Sequence, residues 1–328
     1  MMLDISNLKR VFQPKLVAET LASLPPVPTV LTSVVFRQKE THPFPYIGTE
    51  EIKEETGSVP LVRYGENPVE LDSSDRVITL VEPEPITLKK TIRPREIAGL
   101  QALTGQNLKV YSQNIIDRFR RRILTTISAL CGQAINGKLQ HPIKTDIGTD
   151  IYEFQYGEVK TYAPSDTWNG TNPKPLRDLD AMTTKLMKNG IAGPYIVLAG
   201  ENAYRALLEY LETKEGVVIA NYTKVDEQAK VPYVEYFGFK IYKVADTYKT
   251  ADGSVKPVID PNAVYVLGEL PWKLKFLSLD DIEYGPIAMP MLVKVVKDPM
   301  GKSLSIIAES KPFPIPRINA VIKAVVVG

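Results

Sequence analysis

The sequence has one cysteine, Cys131, and two histidines, His42 and His141, in 328 residues. A single thiol excludes an internal disulfide framework and any multi-cysteine zinc site, and it suits a reducing compartment. Two histidines leave nucleophile–histidine catalysis short of parts. Both read as solvated loop residues, His141 within a turn-like QHPIK. No stretch approaches the roughly 18 apolar residues of a membrane span. The opening MMLDISNLKRVFQPK lacks the apolar run of a signal peptide. Cytoplasmic synthesis without a membrane anchor is the expectation. Strong net charge is also missing: 40 basic against 38 acidic residues leave +2, so bulk electrostatics do not mark a nucleic-acid binder.

Proline, by contrast, is plentiful, and its placement divides the chain. Residues 1–35 read as an N-terminal arm with short helices, in which Leu16, Val17, Leu21 and Leu24 form a small apolar face. Pro25-Pro26-Val27-Pro28 then ends any helix and favours extended geometry. Such an arm has no core of its own and must be held by something else. Residues 36–92 alternate short apolar runs with turn signals, among them THPFPYIG, VPLVRYGENPVEL and VEPEPITLKK. They read as an extended two-stranded excursion.

The strongest helix signal covers 107–137. Ile116, Phe119, Ile123, Ile127, Leu130 and Ala134 recur at three and four and share a face, and Asn136-Gly137 supplies a stop. At 1.5 Å per residue the helix is about 46 Å long. A compact globule of this size has a radius of gyration of only about 20 Å, so the helix crosses most of the body. Four arginines fall within five of its positions: Arg118, Arg121 and Arg122 opposite the apolar stripe, and Arg120 at its flank. Beyond it, strand-like text (IYEFQYGEVKTYA, PYIVLAG, YVEYFGFKIYKVADTY, AVYVLG, WKLKFLS) mixes with two helices (PLRDLDAMTTKLMKN and ENAYRALLEYLET). MLVKVVKD, SLSIIAES and INAVIKAVVV close the chain as strands. The mixture is α/β or α+β, without a regular βαβ rhythm, and α+β is the class taken with the resemblance below.

Several apparent motifs carry no chemistry. Gly132 to Leu139 approximates a phosphate loop, but Leu139 replaces the magnesium-binding hydroxyl and the segment ends a helix instead of opening one. Asp280, Asp281 and Glu283 read as solvated acids in a polar turn, Trp168 and Trp272 as packing anchors, and Cys131 as a small buried hydrophobe. No cofactor, metal or catalytic role is expected.

Charge is distributed unevenly. Residues 38–90 hold 11 acidic and 6 basic side chains, whereas 91–144 hold 9 basic and 2 acidic. An acidic excursion lying on the basic helix of another copy would match charges across a subunit contact. The rival reading, DNA on the arginine face, lacks a docking motif and interleaved aromatics.

The order of features resembles the major capsid protein E family of lambda-like tailed phages. The resemblance runs from about residue 30 to 328. It rests on VVFRQKETHPFPYIGTEEI, VPLVRYGENPVEL, VEPEPITLKKTIRPREI, the arginine-rich LKVYSQNIIDRFRRRILTTISALCGQAINGKL, DTWNGTNPKPLRDLDAM and DPMGKSLSIIAESKPFPIPRINAVIKAVVV. It implies the shell-protein fold shared by tailed-phage capsids and encapsulins. Its implied parts are an arm (1–35), an extended loop (36–92), a peripheral domain (93–165 and 292–328) with the spine helix, and an axial domain (166–291). It further implies hexamers and pentamers closing an icosahedral shell around phage DNA, synthesised and assembled in the host cytoplasm. The implied partners are further copies of the chain, portal, scaffold and decoration proteins, and packaged DNA held by non-specific contact. On this reading Arg118, Arg121 and Arg122 meet a neighbour's Glu50, Glu51, Glu54 and Glu55, and a turn at Asp252 and Gly253 lies near a capsomer axis. Two alternatives differ in kind: an encapsulin-like compartment holding cargo, and a cytoplasmic carboxylate-dependent enzyme.

Overall fold

A computed structural model describes residues 9–52, 80–93, 96, 106–146, 148–214, 222–250, 253–298 and 303–328. Its organising element is the spine helix, Gln106–Ile135. Ile115, Ile116, Phe119, Ile123, Ile127, Leu130 and Ala134 are all buried, so the three-and-four spacing in the sequence is the face that packs. At the far end Gly137 adopts φ +84°. Its N–H donates to the Ala134 carbonyl at 2.9 Å. A Cβ there would lie 2.3 Å from the Gly157 carbonyl oxygen, so both conformation and space demand glycine. The chain then turns into a hairpin, Lys138–Lys144 with Thr149–Gln155.

The largest sheet has seven strands, in the order Lys160–Tyr162, Val321–Val325, Ala263–Gly268, Tyr195–Gly200, Phe239–Val244, Pro232–Tyr236 and Thr223–Val225. Ala263–Gly268 is buried along its whole length, which explains its unbroken apolar text. Helix Pro175–Lys188 packs on Ala263–Gly268 and Val321–Val325, and helix Glu201–Lys214 on Tyr195–Gly200. A second sheet centres on Lys273–Asp281, which pairs with Gln38–His42, Gly285–Ala288 and Pro312–Ile315. A third joins Leu292–Lys297, Leu304–Ser310 and Ile86–Ile92.

One continuous apolar core runs through the spine, the sheets and the arm. The arm differs from expectation here. Phe12, Val17, Leu31 and Phe36 are buried in their own chain, with arm helix Pro14–Ser23 against the spine helix and strand Leu292–Lys297. Periodicity registered a small apolar face but could not show that its acceptor lies a hundred residues onward. Residues 36–92 also differ from a free excursion at both ends. Gln38–His42 runs parallel to Lys273–Leu277, and Ile86–Ile92 is an edge of the third sheet. The described two-stranded part is the short ladder of Ile47–Gly48 with Leu80–Val81.

Candidate subunit-contact surface

The spine's solvent face displays the arginines, and they divide into two pairs. Arg121 Nε donates to Asp117 Oδ2 at 2.8 Å, one turn back. Arg120 lies 3.7 Å from the same carboxylate and donates to the Pro25 carbonyl, fastening the proline segment that follows the arm helix. Arg118 and Arg122 are exposed. Among the described residues neither side chain has a hydrogen bond or ion pair. The cluster therefore contributes two internal fasteners and two uncommitted cations.

The acidic side is likewise partly committed. Glu50, Glu51 and Ile52 form a single helical turn with Thr49. Glu51 pairs with Lys275 of its own chain. Glu54 and Glu55 lie outside the described residues. Just past strand Leu80–Val81, Glu82 accepts from Lys311 Nζ at 2.8 Å. Lys275 lies on strand Lys273–Asp281 and Lys311 in the link between Leu304–Ser310 and Pro312–Ile315, where the Leu277 N–H donates to the Lys311 carbonyl at 2.9 Å. Their side chains are only 11% and 7% exposed. Two buried lysines thus tether both sides of a short stem, the ladder of Ile47–Gly48 with Leu80–Val81. Charge counting missed them. The available signal was a lysine inside an apolar strand, in KLKFLS and again in ESKPFP.

The hairpin Thr247–Lys249 with Val255–Pro257 carries Gly253 at its tip, exposed and at φ +84°. Asp252 lies outside the described residues. The hairpin's base rests on the end of the spine, where Gln133 Nε2 donates to the Tyr248 hydroxyl at 3.1 Å.

Two residues correct the sequence reading. His141 is in a strand, paired across to Tyr152, with its ring 6.1 Å from that of Tyr248. Pro142 beside it is compatible with a strand whose pairing runs only to Thr149–Gln155, because an edge can spare an N–H. His141 Nδ1 is buried without a hydrogen-bond partner, and burial holds its pKa down. Asp281 is no solvated acid. Its side chain is 4% exposed and accepts the N–H groups of Glu283 (2.8 Å) and Tyr284 (3.0 Å) and Lys294 Nζ (2.6 Å). Burial pushes this carboxyl up, but the lysine and the two amides outweigh it and hold the pKa below the ordinary range.

The anchors stand as read. Trp168 Nε1 donates to Asp178 at 2.9 Å, Trp272 meets Phe36 edge-on at 5.6 Å, and Cys131 is fully buried with its thiol pKa pushed up by that burial. Among the described residues no three metal-ligating side chains converge, and no helix is long and apolar enough to cross a membrane.

Comparison with known proteins places this architecture. The family described as phage major capsid protein E matches residues 15–326. No curated protein matches. A solved structure described as a prophage capsid protein from E. coli CFT073 aligns over 95% of this chain and 98% of its own. Its TM-score is 0.66 at 16% identity. A phage-related protein from Bordetella bronchiseptica RB50 aligns over 94% and 95%, with TM-score 0.52 and 13% identity. The SrpI encapsulin complex of Synechococcus elongatus PCC 7942 aligns over 85% and 94% at 14% identity. Its TM-score of 0.45 is too low to carry an argument. The two higher likenesses speak to fold, and the family match speaks to role. The chain belongs to the phage major capsid protein E family, has the tailed-phage major capsid fold, and is a structural protein that associates with itself to form the shell of the virion.

Proposed function

We propose that copies of this chain assemble through hexamers and pentamers into an icosahedral shell around double-stranded DNA, in the host cytoplasm and without a catalytic role. The arm, the extended loop, the peripheral domain with its spine and the axial domain divide the work as laid out above. Portal, scaffold and decoration proteins, and non-specific contact with packaged DNA, complete the set of partners. The Asp252–Gly253 turn is assigned to the capsomer axis.

The observation that carries the contact geometry is the uncommitted pair Arg118 and Arg122 on a spine face whose other arginines are used internally. On this reading they receive Glu50, Glu54 and Glu55 of a neighbour, with Arg121 in support. Glu51 stays with its own Lys275. Exposed pairs contribute only about 0.2–1 kcal/mol each, so they orient copies more than they bind them. A shell repeats the contact at every copy, which makes even a small term decisive.

The test is the double charge reversal Arg118→Glu with Arg122→Glu. The subunit is expected to keep the wild-type circular dichroism and melting temperature, while particles seen by negative-stain microscopy fall at least tenfold. A wild-type yield of normal shells would remove this contact.

A further inference from the structure

The seven-stranded sheet ends in a tip whose geometry the chain's own packing does not account for. Strands Pro232–Tyr236 and Phe239–Val244 are joined by a two-residue turn, Phe237-Gly238. Both central residues have positive φ, +49° at Phe237 and +77° at Gly238. Such a turn favours Asn, Asp or Gly at its first central position, and a bulky residue there is strained. Strain of this kind persists where something else repays it. Within the chain little does. Phe237 is 70% exposed. Its ring meets Tyr236 edge-on at 4.8 Å, and Tyr236 in turn meets Tyr222 edge-on at 5.4 Å. Tyr222 leads directly into the edge strand Thr223–Val225.

We infer that the tip formed by Phe237, Tyr236 and Tyr222 is a contact surface for a second copy of this chain. The inference rests on the shell reading above and adds to it a specific anchor. Three observations select the occupant. The row is aromatic, and of the charges flanking it Lys224 pairs with Glu235 at 2.7 Å while Lys240 stands across from the same glutamate. One net positive charge is far short of a phosphate-binding face, and the patch has the form of an aromatic centre with a largely paired polar rim. It also borders the terminal strand of the sheet, where a neighbouring subunit can approach without displacing anything described. In a protein that surrounds itself with identical copies, the abundant partner for such an edge is another copy. Finally, aromatic side chains bury about 150–250 Å² each. The row therefore supplies only part of the roughly 800 Å² per partner of a stable interface. It is an anchor within a larger subunit face, as hot spots are.

Phe237→Asn separates a turn role from a contact role. Asparagine tolerates left-handed backbone and removes the ring, so the unassembled subunit should melt at or above the wild-type temperature. Shell formation, followed by sedimentation velocity and negative-stain microscopy over a concentration series, should need at least tenfold more protein. Phe237→Tyr should assemble as wild type does. The inference is overturned if Phe237→Asn assembles at the wild-type concentration, or if its subunit melts well below wild type, which would mean that the ring serves its own fold. In either case wild-type shells still stand. A wild-type protein that stays a single subunit at every concentration would overturn the shell reading and this contact together.

Discussion

The seven-stranded sheet and the loop stem are held in opposite ways. The sheet closes over an apolar interior: Val197, Leu198, Val264, Tyr265 and Val266 are without solvent exposure. The stem, Ile47–Ile52 with Leu80–Glu82, has a short ladder, a few buried isoleucines and two lysine–glutamate tethers. Apolar burial contributes about 25 cal/mol per Å² whatever the orientation, whereas a pair between a buried lysine and an exposed glutamate contributes little net stability and fixes direction. One region supplies cohesion; the other fixes how Ile47–Ile52 and Leu80–Glu82 sit against the sheets.

That contrast can be broken from either side. Leu198→Ala, in a central strand, should destabilise the whole subunit by about 2–5 kcal/mol, seen as a single shifted denaturant transition. Asp281→Ala, at the junction of the sheets, leaves the Glu283 and Tyr284 amides without their acceptor and Lys294 with Glu309 alone, at 2.9 Å. It should cost about 1–3 kcal/mol. Because the folded pKa of Asp281 lies below its ordinary value, its contribution is complete above the unfolded carboxylate pKa near 3.9. It is lost as pH falls through the lower folded value. Asp281→Asn should therefore flatten stability against pH below about 4.

Lys275→Met with Lys311→Met sharpens the comparison. Replacing buried charges by apolar side chains of similar reach should leave global stability within about 1 kcal/mol. Amide exchange at residues 47–52 and 80–86 should accelerate at least tenfold while the sheet is unchanged. Equal protection in both regions would mean that the tethers do not set the stem. The smallest effect belongs to His141. It faces Tyr152 and Tyr248, with Lys144 and Glu84 lining the same cleft. Its folded pKa is lowered by burial, so stability present above the unfolded value near 6.5 declines as pH drops from there towards the folded value. His141→Gln should remove that limb, a change of under about 1 kcal/mol in melts between pH 5 and 7.

Where the deciding partner is a few residues away, the sequence was legible. The spine helix falls within two residues of its expected bounds because its stripe and its Gly137 stop are local signals. The apolar strands Tyr195–Gly200 and Ala263–Gly268 follow likewise. What was not legible depends on distant partners. His141 looked like a turn residue because Pro142 follows it, and Asp281 looked solvated because Lys294 lies on another strand. Arg120 was read as flanking the apolar stripe, but its bond to the Pro25 carbonyl, 95 residues away, left no local sign. Of the candidate contact surface, the sequence showed the basic face but not which arginines were already occupied.

The parallel pairing of residue 38 with residue 273 has a kinetic consequence. A ribosome adds about 5–20 residues per second, so Gln38–His42 waits tens of seconds for its partner to be made. The slot beside Ala263–Gly268 stays empty until Val321–Val325 has emerged. An unfilled edge beside a buried strand is a template that another nascent chain can enter. The order of the strands thus leaves the last residues made with the task of closing the sheet against exchange between copies.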